Sequence, residues 1–371
     1  MTMNVITEEP ATSFNETAVL TQDDPHIIGL DDLILITGAS GFIGPALVDS
    51  LLRHGFRNLR VFTRLSSNLT RLENVANSYK GTQVEMVRGN LLSKDNCLTA
   101  TKGTAVIFHL ATGGDKSFPD AFMNSVVTTR NLLDATMQHG CLRRFVNISS
   151  FAVYTNNGKG RWRLLDESCP VESDMKQCGD AYSFAKIKQD ELVAEYGKNF
   201  GIPYVTVRPG SVFGPGKTSI TGRVGIDSFG PFLHMGGGGR IPLTYVDNCA
   251  DAIVLAGVKK GVEGEVFNVV DDDVPTSRKF LRLYKRKVKR FRSFYVPHFM
   301  SYMLCLVWEK YANWSEGQLP VAFNRRRWHT EWKKTRYSNE KLKKKLGWKP
   351  KVSMKEGLER YFAGCREKLD A

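Results

Sequence analysis

The stretch LILITGASGFIG, residues 33–44, determines the fold. Its first four residues form a continuous apolar run, which is typical of a strand buried on both faces of a parallel sheet. Glycines follow at positions 38, 41 and 44, and the segment Pro45–Leu52 predicts a helix that ends at Gly55. A second strand is predicted at Leu59–Thr63. Together these elements form a strand–helix–strand unit.

The glycine spacing predicts a phosphate-binding turn. Gly38 permits a tight turn, Gly41 lets the backbone approach a pyrophosphate, and Gly44 lets the helix pack on the strand. The helix N-terminus attracts the anion. After the second strand, Thr63 and Arg64 stand where NAD enzymes have an acidic residue, so we expect this end to bind the 2′-phosphate of NADP. The alternative is an Arg64 that points to solvent or stacks on the adenine.

The alternation of strands and helices continues to about residue 210, and Gly/Pro-rich loops with short elements follow. Further strands are predicted at Val84–Val87, Ala105–Leu110, Arg144–Ile148 and Tyr204–Val207, and helices at 119–138 and 180–198, the latter with Asp180 as N-cap. This pattern predicts an α/β fold, a Rossmann-type doubly wound parallel sheet with a smaller C-terminal substrate-binding lobe. We expect a mobile acidic tail over 1–30, a dinucleotide-binding domain over 31–210, and a lobe mainly over 211–371, some segments of which return to the main sheet.

The net charge of +14 is concentrated in the C-terminal quarter. Residues 1–32 carry seven acidic and no basic residues, whereas residues 278–371 carry 26 basic and 8 acidic ones. This asymmetry argues against a protein that coats nucleic acid, and no nucleic-acid partner is expected. The seven cysteines are dispersed and lack zinc spacing, which predicts a reduced, cytoplasmic chain without a metal site. Neither a signal peptide nor an apolar run of about 18 residues is visible.

A candidate reacting centre lies in the second half of the sheet domain. Tyr182 and Lys186 are spaced to share one face of a helix, where an ammonium lowers the pKa of a phenol. Such a tyrosine can transfer a proton near neutral pH. Ser149 and Ser150 follow a predicted strand, and ligands of open α/β sheets bind at the carboxyl ends of strands. The alternative is a solvated helix face without a catalytic role.

These motifs together resemble the extended short-chain dehydrogenase/reductases of the epimerase/dehydratase superfamily. The matching segments are TGASGFIG (37–44), HLAT (109–112), ISS with VY (148–154), YSFAK (182–186), RPGSVFGPG (208–216) and YVDN (245–248). Within the superfamily, the chain looks most similar to the dihydroflavonol reductase and 3β-hydroxysteroid dehydrogenase-like branch. The resemblance covers residues 33 to about 275.

The resemblance implies roles for individual residues. Tyr182 would be the acid/base, Lys186 would also hold the nicotinamide ribose, Ser150 would be the catalytic hydroxyl, and Asn124 would support the proton relay. Gly210 would lie near the nicotinamide. The implied cofactor contacts are Gly38, Ser40, Gly41, Phe42, Ile43, Gly44, Arg64, Asn90, Leu91, Ala111, Thr112, Tyr182, Lys186 and Pro209.

The chain departs from the family pattern at several positions. Asn90 replaces an aspartate at the adenine, and Pro45 stands where many NADP enzymes have arginine, so NAD remains the alternative cofactor. Phe151-Ala152 replaces the Asp-Glu pair of the dehydratases, which argues against dehydration. The separation of Ser150 from Tyr182 implies an inserted loop, residues 156–179, near the substrate mouth.

The segment 278–310 combines a basic run with an apolar stretch. The resemblance implies a helix, a short strand near Val296-Pro297 and an apolar helix over the substrate pocket. The other interpretation is a helix that lies in an anionic membrane surface, which would make the protein peripheral to a membrane. The two are compatible, and a homodimer is also left open.

Three functions are compared. The first is an NADP-preferring oxidoreductase that interconverts a secondary alcohol and a ketone by hydride transfer, with a rather hydrophobic small-molecule substrate. The second is a nucleotide-sugar epimerase with tightly bound NAD. The third is a cofactor-binding regulator or scaffold, against which the intact Ser150, Tyr182 and Lys186 argue.

Overall fold

The computed structural model describes residues 26–113, 117–155, 163–173, 180–227, 230–315 and 324–370. The strands are β1 (Ile34–Thr37), β2 (Asn58–Thr63), β3 (Gln83–Arg88), β4 (Val106–His109), β5 (Arg144–Ile148), β6 (Arg163–Leu165), β7 (Tyr204–Pro209), β8 (Ser211–Phe213), β9 (Gly225–Asp227), β10 (Phe232–His234), β11 (Leu243–Tyr245), β12 (Val266–Val269), β13 (Ser293–Tyr295) and β14 (Thr335–Tyr337). The helices are α1 (Gly44–Arg53), α2 (Thr70–Asn77), α3 (Lys94–Thr101), α4 (Phe118–Phe122), α5 (Thr128–His139), α6 (Ala181–Phe200), α7 (Val246–Val258), α8 (Ser277–Lys287), α9 (His298–Trp314), α10 (Arg325–Arg327), α11 (Glu340–Leu346) and α12 (Met354–Asp370).

The main sheet confirms the predicted Rossmann-type fold. Seven parallel strands follow the order β12-β7-β5-β4-β1-β2-β3. The chain runs outward from β1 to β3 and then returns to place β4 on the other side of β1. This reversal opens a crevice at the carboxyl ends of β1 and β4, where open α/β sheets bind ligands.

The sheet is buried on both faces, as its apolar strands predict. Leu35, Ile107 and Phe145 lie beside one another on β1, β4 and β5 and pack toward α3, α5 and α6. Their neighbours Ile36 and Phe108 point to the opposite face, which α1 and α7 cover. All five side chains are fully buried. Because adjacent residues of a strand point to opposite faces, a continuous apolar run is what such a doubly covered sheet requires.

Residues 26–30, which belong to the predicted acidic tail, contact the sheet domain. His26 forms a bridge with Lys259, the Ile27 N–H donates to the Val258 carbonyl at 2.8 Å, and Ile28 is buried. Residues 26–28 are therefore attached to the sheet domain. The tail expected over residues 1–25 lies outside the described residues.

The predicted inserted loop is tied to the C-terminal part of the chain. Its β6 strand pairs in parallel with β14. Residues 156–162 and 174–179 lie outside the described residues. Two smaller sheets, β11-β8 and β13-β10-β9, build the lobe, whereas β12 returns to the edge of the main sheet.

The helix predicted over residues 119–138 is not continuous. α4 and α5 are separated by a π-helical turn, Met123–Val127. The Thr129 hydroxyl donates to the Ser125 carbonyl at 2.6 Å, and the Thr128 hydroxyl donates to the Asn124 carbonyl at 2.9 Å. Side chains that bond helix carbonyls in this way compete with the regular ladder and permit the wider turn.

Among the described residues, no helix combines the length and the apolarity that a bilayer crossing requires.

Candidate active site

The glycine turn has the geometry that its sequence predicts. Gly38 has a φ of 71°, and a Cβ atom there would lie 2.6 Å from the Ala111 nitrogen. A Cβ atom on Gly44 would lie 2.0 Å from the Ala39 carbonyl oxygen. Both positions therefore require glycine. Ile43 at the N-cap of α1 provides no side-chain cap, so the N–H groups of the first turn can receive an anion.

Two clefts meet at this turn and bring most of the predicted residues together. One, of about 550 Å³, is lined by nine of them: Gly38, Ser40, Gly41, Arg64, Asn90, Leu91, Ala111, Thr112 and Asn124. The other, of about 640 Å³, also includes Gly38, Gly41 and Thr112, together with Phe42, Ile43, Ser150, Tyr182, Lys186, Pro209 and Gly210. An extended dinucleotide fits a groove of this form, with its pyrophosphate at the shared glycines. Gly44 lines neither cleft and acts through the packing of α1.

The smaller cleft holds a buried hydroxyl that lacks a partner. Thr63 at the end of β2 is 2% exposed, and its Oγ1 atom makes no hydrogen bond within the described structure. A buried hydroxyl without a hydrogen-bond partner destabilises the folded protein. A polar ligand that bonds to this hydroxyl would remove that cost and would therefore bind more tightly. The exposed Arg64 side chain lines the same cleft. These two groups fit a ribose and a phosphate at the adenosine end.

Asn90 is occupied by its own turn. Its Oδ1 atom accepts a hydrogen bond from the Leu92 N–H at 3.0 Å, and its own N–H donates to Asn96 Oδ1 at 2.9 Å. The residue lines the smaller cleft, but its amide shapes the loop after β3.

The helix α6 positions Tyr182 and Lys186 in the larger cleft. Asp180 is its N-cap, as predicted, and accepts from the Ser183 N–H at 2.7 Å. The Lys186 ammonium is buried and donates to the Ile148 carbonyl at 2.6 Å and to Gln189 Oε1 at 2.9 Å. Burial lowers the pKa of Lys186 to about 8, although the Asp190 carboxylate opposes the shift.

Ser149 and Ser150 have different surroundings. The Ser149 hydroxyl donates to Asp190 Oδ2 at 2.8 Å, and the same carboxylate oxygen pairs with Arg208 at 3.0 Å. Ser149 is therefore engaged in a buried ion-pair network. Among the described residues, the Ser150 hydroxyl is bonded only to the Ala152 N–H, which it accepts at 3.2 Å, and this leaves its proton available in the cleft. This difference favours Ser150 as the hydroxyl that acts on a ligand.

A buried chain of polar groups connects Lys186 with the glycine turn. Gln189 Nε2 donates to Thr129 Oγ1 at 2.9 Å, and His109 Nε2 lies 2.9 Å from the same oxygen. Because the Thr129 proton is directed to the Ser125 carbonyl, His109 Nε2 must carry a hydrogen, and Nδ1 accepts from the Thr37 hydroxyl at 2.7 Å. Burial, and secondarily the Lys186 charge, lowers the pKa of His109 to about 3, so the imidazole stays neutral.

Asn124 lines the smaller cleft, whereas the other three predicted catalytic residues line the larger one. The Asn124 Nδ2 atom donates to the Asp120 carbonyl at 3.0 Å and to Asp120 Oδ1 at 2.9 Å. The neighbouring Ser125 was not predicted, although its hydroxyl accepts from the Gly113 N–H at 2.9 Å. Thr37 and His109 belong to the quoted motifs, but Thr129, Gln189 and Asp190 carry no sequence signal for their roles.

The apolar helix α9 does not cover the larger cleft, contrary to what the resemblance implies. None of its described residues lines that cleft. α9 packs instead on Trp328 and Trp332, and the aromatic residues at the cleft include Phe280 of α8 and Tyr361 of α12. Among the described residues, no group of three or more His, Cys, Asp or Glu side chains could hold a metal ion.

Known proteins share this sequence and fold. The chain is 30% identical over 251 residues to a trifunctional UDP-glucose 4,6-dehydratase/UDP-4-keto-6-deoxy-D-glucose 3,5-epimerase/UDP-4-keto-L-rhamnose-reductase of Arabidopsis thaliana, which covers 64% of this chain and 36% of that protein. It is 26% identical over 247 residues to a 3beta-hydroxysteroid-dehydrogenase/decarboxylase of the same plant, covering 62% of this chain and 54% of the relative. The chain thus spans about a third to a half of these relatives.

A solved structure matches almost the whole fold. UDP-glucuronic acid 4-epimerase from Bacillus cereus, in complex with UDP-glucuronic acid and NAD, has a TM-score of 0.68 at 22% identity over 91% of this chain and 99% of that one. Residues 34–269 match the NAD dependent epimerase/dehydratase family, and this match contains the glycine turn, Tyr182 and Lys186. The protein is therefore an enzyme of the NAD dependent epimerase/dehydratase family.

Proposed function

We propose that the protein is an NADP-preferring, cytoplasmic oxidoreductase that interconverts a secondary alcohol and a ketone. The observation that carries this proposal is the shared cleft of Tyr182, Lys186 and Ser150, which opens from the glycine turn at the ends of β1 and β4. A phenol, a buried ammonium and a serine hydroxyl in one cleft are the groups that proton transfer to or from a reacting oxygen requires.

Each of these residues has a separate task. Tyr182 gives a proton to the ketone oxygen or takes it from the alcohol. Ser150 donates a hydrogen bond to the same oxygen and orients it. Lys186, held by Ile148 and Gln189, keeps a positive charge near the phenol and binds the ribose hydroxyls. The nicotinamide cofactor supplies or accepts the hydride when bound.

The lining of the larger cleft supports a rather hydrophobic substrate. Beyond Tyr182 it is formed by Val212, Phe213, Ile220, Leu243, Phe280 and Tyr361, among others. Apolar and aromatic walls with few polar groups are typical of pockets for small organic molecules. The similarity to the 3beta-hydroxysteroid-dehydrogenase/decarboxylase is consistent with such a substrate.

A nucleotide-sugar epimerase is the second candidate, and Lys217 favours it. This lysine lines the larger cleft and donates to the Val212 carbonyl at 3.2 Å, and burial lowers its pKa. Ser211, Ser219 and Thr221 line the same cleft, and a cation beside hydroxyl groups could bind a diphosphate. The UDP-sugar enzyme among the relatives is consistent with this activity.

Turnover tests the proposal directly. NADPH oxidation with a panel of apolar ketones should be measured beside the sugar composition after incubation with UDP-sugars. Tyr182→Phe should lower turnover by about 10² to 10⁴ and leave NADPH affinity unchanged, since the phenol acts on the reacting oxygen. A Tyr182→Phe variant with more than half of the wild-type rate would remove Tyr182 from the mechanism. Net UDP-sugar epimerisation without NADPH consumption would establish the second candidate.

The choice of cofactor is tested at Arg64. Arg64→Asp should weaken NADPH binding far more than NADH binding, because it removes a charge-assisted hydrogen bond and adds repulsion at the 2′-phosphate. Calorimetric titration with both cofactors measures the difference, and Arg88→Gln is a nearby control. Equal losses for the two cofactors would place the 2′-phosphate elsewhere.

A further inference from the structure

One side of α9 exposes an unusual number of large apolar side chains. Phe299, Val307 and Trp314 are 74%, 61% and 77% exposed. At the helical period of 3.6 residues, seven exposed apolar side chains fall on one side of the helix. This α9 face consists of Phe299, Met300, Met303, Leu304, Val307, Tyr311 and Trp314.

The opposite side of α9 is fixed to the protein. Ser301 and Cys305 are fully buried, and Cys305 packs in one cluster with Met235 and Trp332. Trp328 Nε1 donates to Ser301 Oγ at 2.8 Å. The helix is therefore held in place by its buried side, and its apolar outer side remains in contact with water. Contiguous apolar patches on protein surfaces mark sites that bind another apolar surface.

Positive charge precedes α9 in the sequence. Lys289, Arg290 and Arg292 are exposed in the segment between α8 and β13, and they form no ion pair among the described residues. Phe294, which is 61% exposed, follows Arg292 by two residues and joins this basic segment to α9. The carboxylate of Glu309 on α9 is already paired with Arg325 at 2.9 Å.

Other basic residues nearby are engaged inside the protein. Lys285 donates to Ser293 Oγ at 2.6 Å and lies over the Phe291 ring, and Lys287 pairs with Glu359. Lys289, Arg290 and Arg292 thus remain available to an external partner. So do Lys279, Arg282 and Arg286 of α8 and Lys310 of α9, which are exposed and form no ion pair among the described residues.

We propose that the α9 face and this basic segment dock the protein on an anionic membrane surface. A bilayer surface of anionic lipids offers both features that the patch requires, namely a negative headgroup layer for the cations and an apolar layer beneath it. The helix would lie in the plane of the interface with its apolar side chains below the headgroups. No described residue of α9 lines the larger cleft, so docking through α9 does not depend on which reaction is catalysed.

Flotation of the full chain with vesicles tests this inference. The protein should bind vesicles of phosphatidylcholine and phosphatidylglycerol at low salt, and much less to pure phosphatidylcholine. Replacing Lys289, Arg290 and Arg292 by Gln should weaken binding up to about fivefold for each charge, or about 100-fold together. Because the apolar face would insert, part of the wild-type protein should stay bound at about 1 M salt, where charges are screened beyond about 3 Å. Replacing Phe299, Leu304 and Val307 by Gln should remove that part.

Matched controls change equally exposed residues elsewhere. Lys80, Lys102 and Lys198, replaced by Gln, control for charge, and Met137, Phe200 and Leu369, replaced by Gln, control for apolar area. Both control variants should bind as the wild type does. The inference is overturned if the wild type ignores anionic vesicles at low salt. It is also overturned if the α9 variant changes only the oligomeric state in sedimentation, because the face would then join two copies of the chain.

Discussion

Replacing Gln189 by Leu should lower the pKa of the Lys186 ammonium and thereby weaken cofactor binding at neutral pH. Gln189 is fully buried, and its Oε1 atom is one of two acceptors that the structure gives to Lys186 Nζ. The substitution leaves only the Ile148 carbonyl. Thr129 keeps its hydrogen bonds to Ser125 and His109, so the main loss is the hydrogen bond of the Lys186 ammonium.

The size of the effect follows from the lost hydrogen bond. A hydrogen bond to a charged group contributes about 1.5–3 kcal/mol, and about 1.4 kcal/mol corresponds to one pKa unit. The pKa of Lys186, about 8 in the wild type, should therefore fall by about one to two units. A neutral Lys186 neither favours the phenolate of Tyr182 nor binds ribose hydroxyls as strongly.

NADPH fluorescence titration over a range of pH measures this change without a known substrate. The pH at which affinity falls should move down by about one to two units in Gln189→Leu. It should move up in Gln189→Glu, because a carboxylate favours the charged lysine. Glu191→Gln, a change on the exposed side of the same helix, is the control. Identical midpoints in all four proteins, with equal melting temperatures, would refute the reasoning.

Two further predictions concern stability. Asp190→Asn should lower the free energy of unfolding, measured by urea titration, by about 3–5 kcal/mol, because it leaves the buried Arg208 guanidinium without its counter-ion. A loss below about 1 kcal/mol would contradict this prediction. Lys186→Met should have a higher free energy of unfolding than the wild type. The difference should be largest below pH 8, where burial of the ammonium destabilises the wild-type fold by about 3 kcal/mol. Above pH 8 the folded wild type releases the Lys186 proton, whereas the unfolded chain keeps it up to about pH 10.5. The difference in free energy of unfolding between the variant and the wild type should therefore decrease between these two pH values. A difference that stays constant would show that Lys186 does not titrate in this pH range.

The elements that carry local signals could be predicted from the sequence. The apolar run before Gly38 predicted β1 to within one residue at each end. In a strand that is covered on both faces, successive side chains are all buried, so a continuous apolar run marks its extent. Asp180 predicted the start of α6, because an aspartate side chain can cap the first N–H groups of a helix. The glycine turn was predictable because other backbone segments pass so close to Gly38 and Gly44 that a side chain at either position would clash with them.

Features that depend on tertiary contact were not predictable. Gln189 and Asp190 look like ordinary helix residues, and only the packing of α6 in the folded protein brings Gln189 to Thr129 and Asp190 to Ser149. The π-helical turn at Met123–Val127 adds one residue to a turn, which hydrophobic periodicity does not register. The inference that an apolar helix covers the pocket failed because its direction depends on the Trp332 cluster, formed from distant segments.

The position of β12 has a consequence for synthesis of the chain. This strand pairs with β7 at the edge of the main sheet, yet the segment 210–265 separates them in sequence. Until Val266–Val269 leave the ribosome, β7 presents an unpaired apolar edge, and translation of the intervening segment takes about 3–11 s at about 5–20 residues per second. Exposed edges recruit other strands. The nascent protein should therefore be most dependent on chaperones during this interval, and a chain cut between β7 and β12 should aggregate even though it retains the glycine turn, Tyr182 and Lys186.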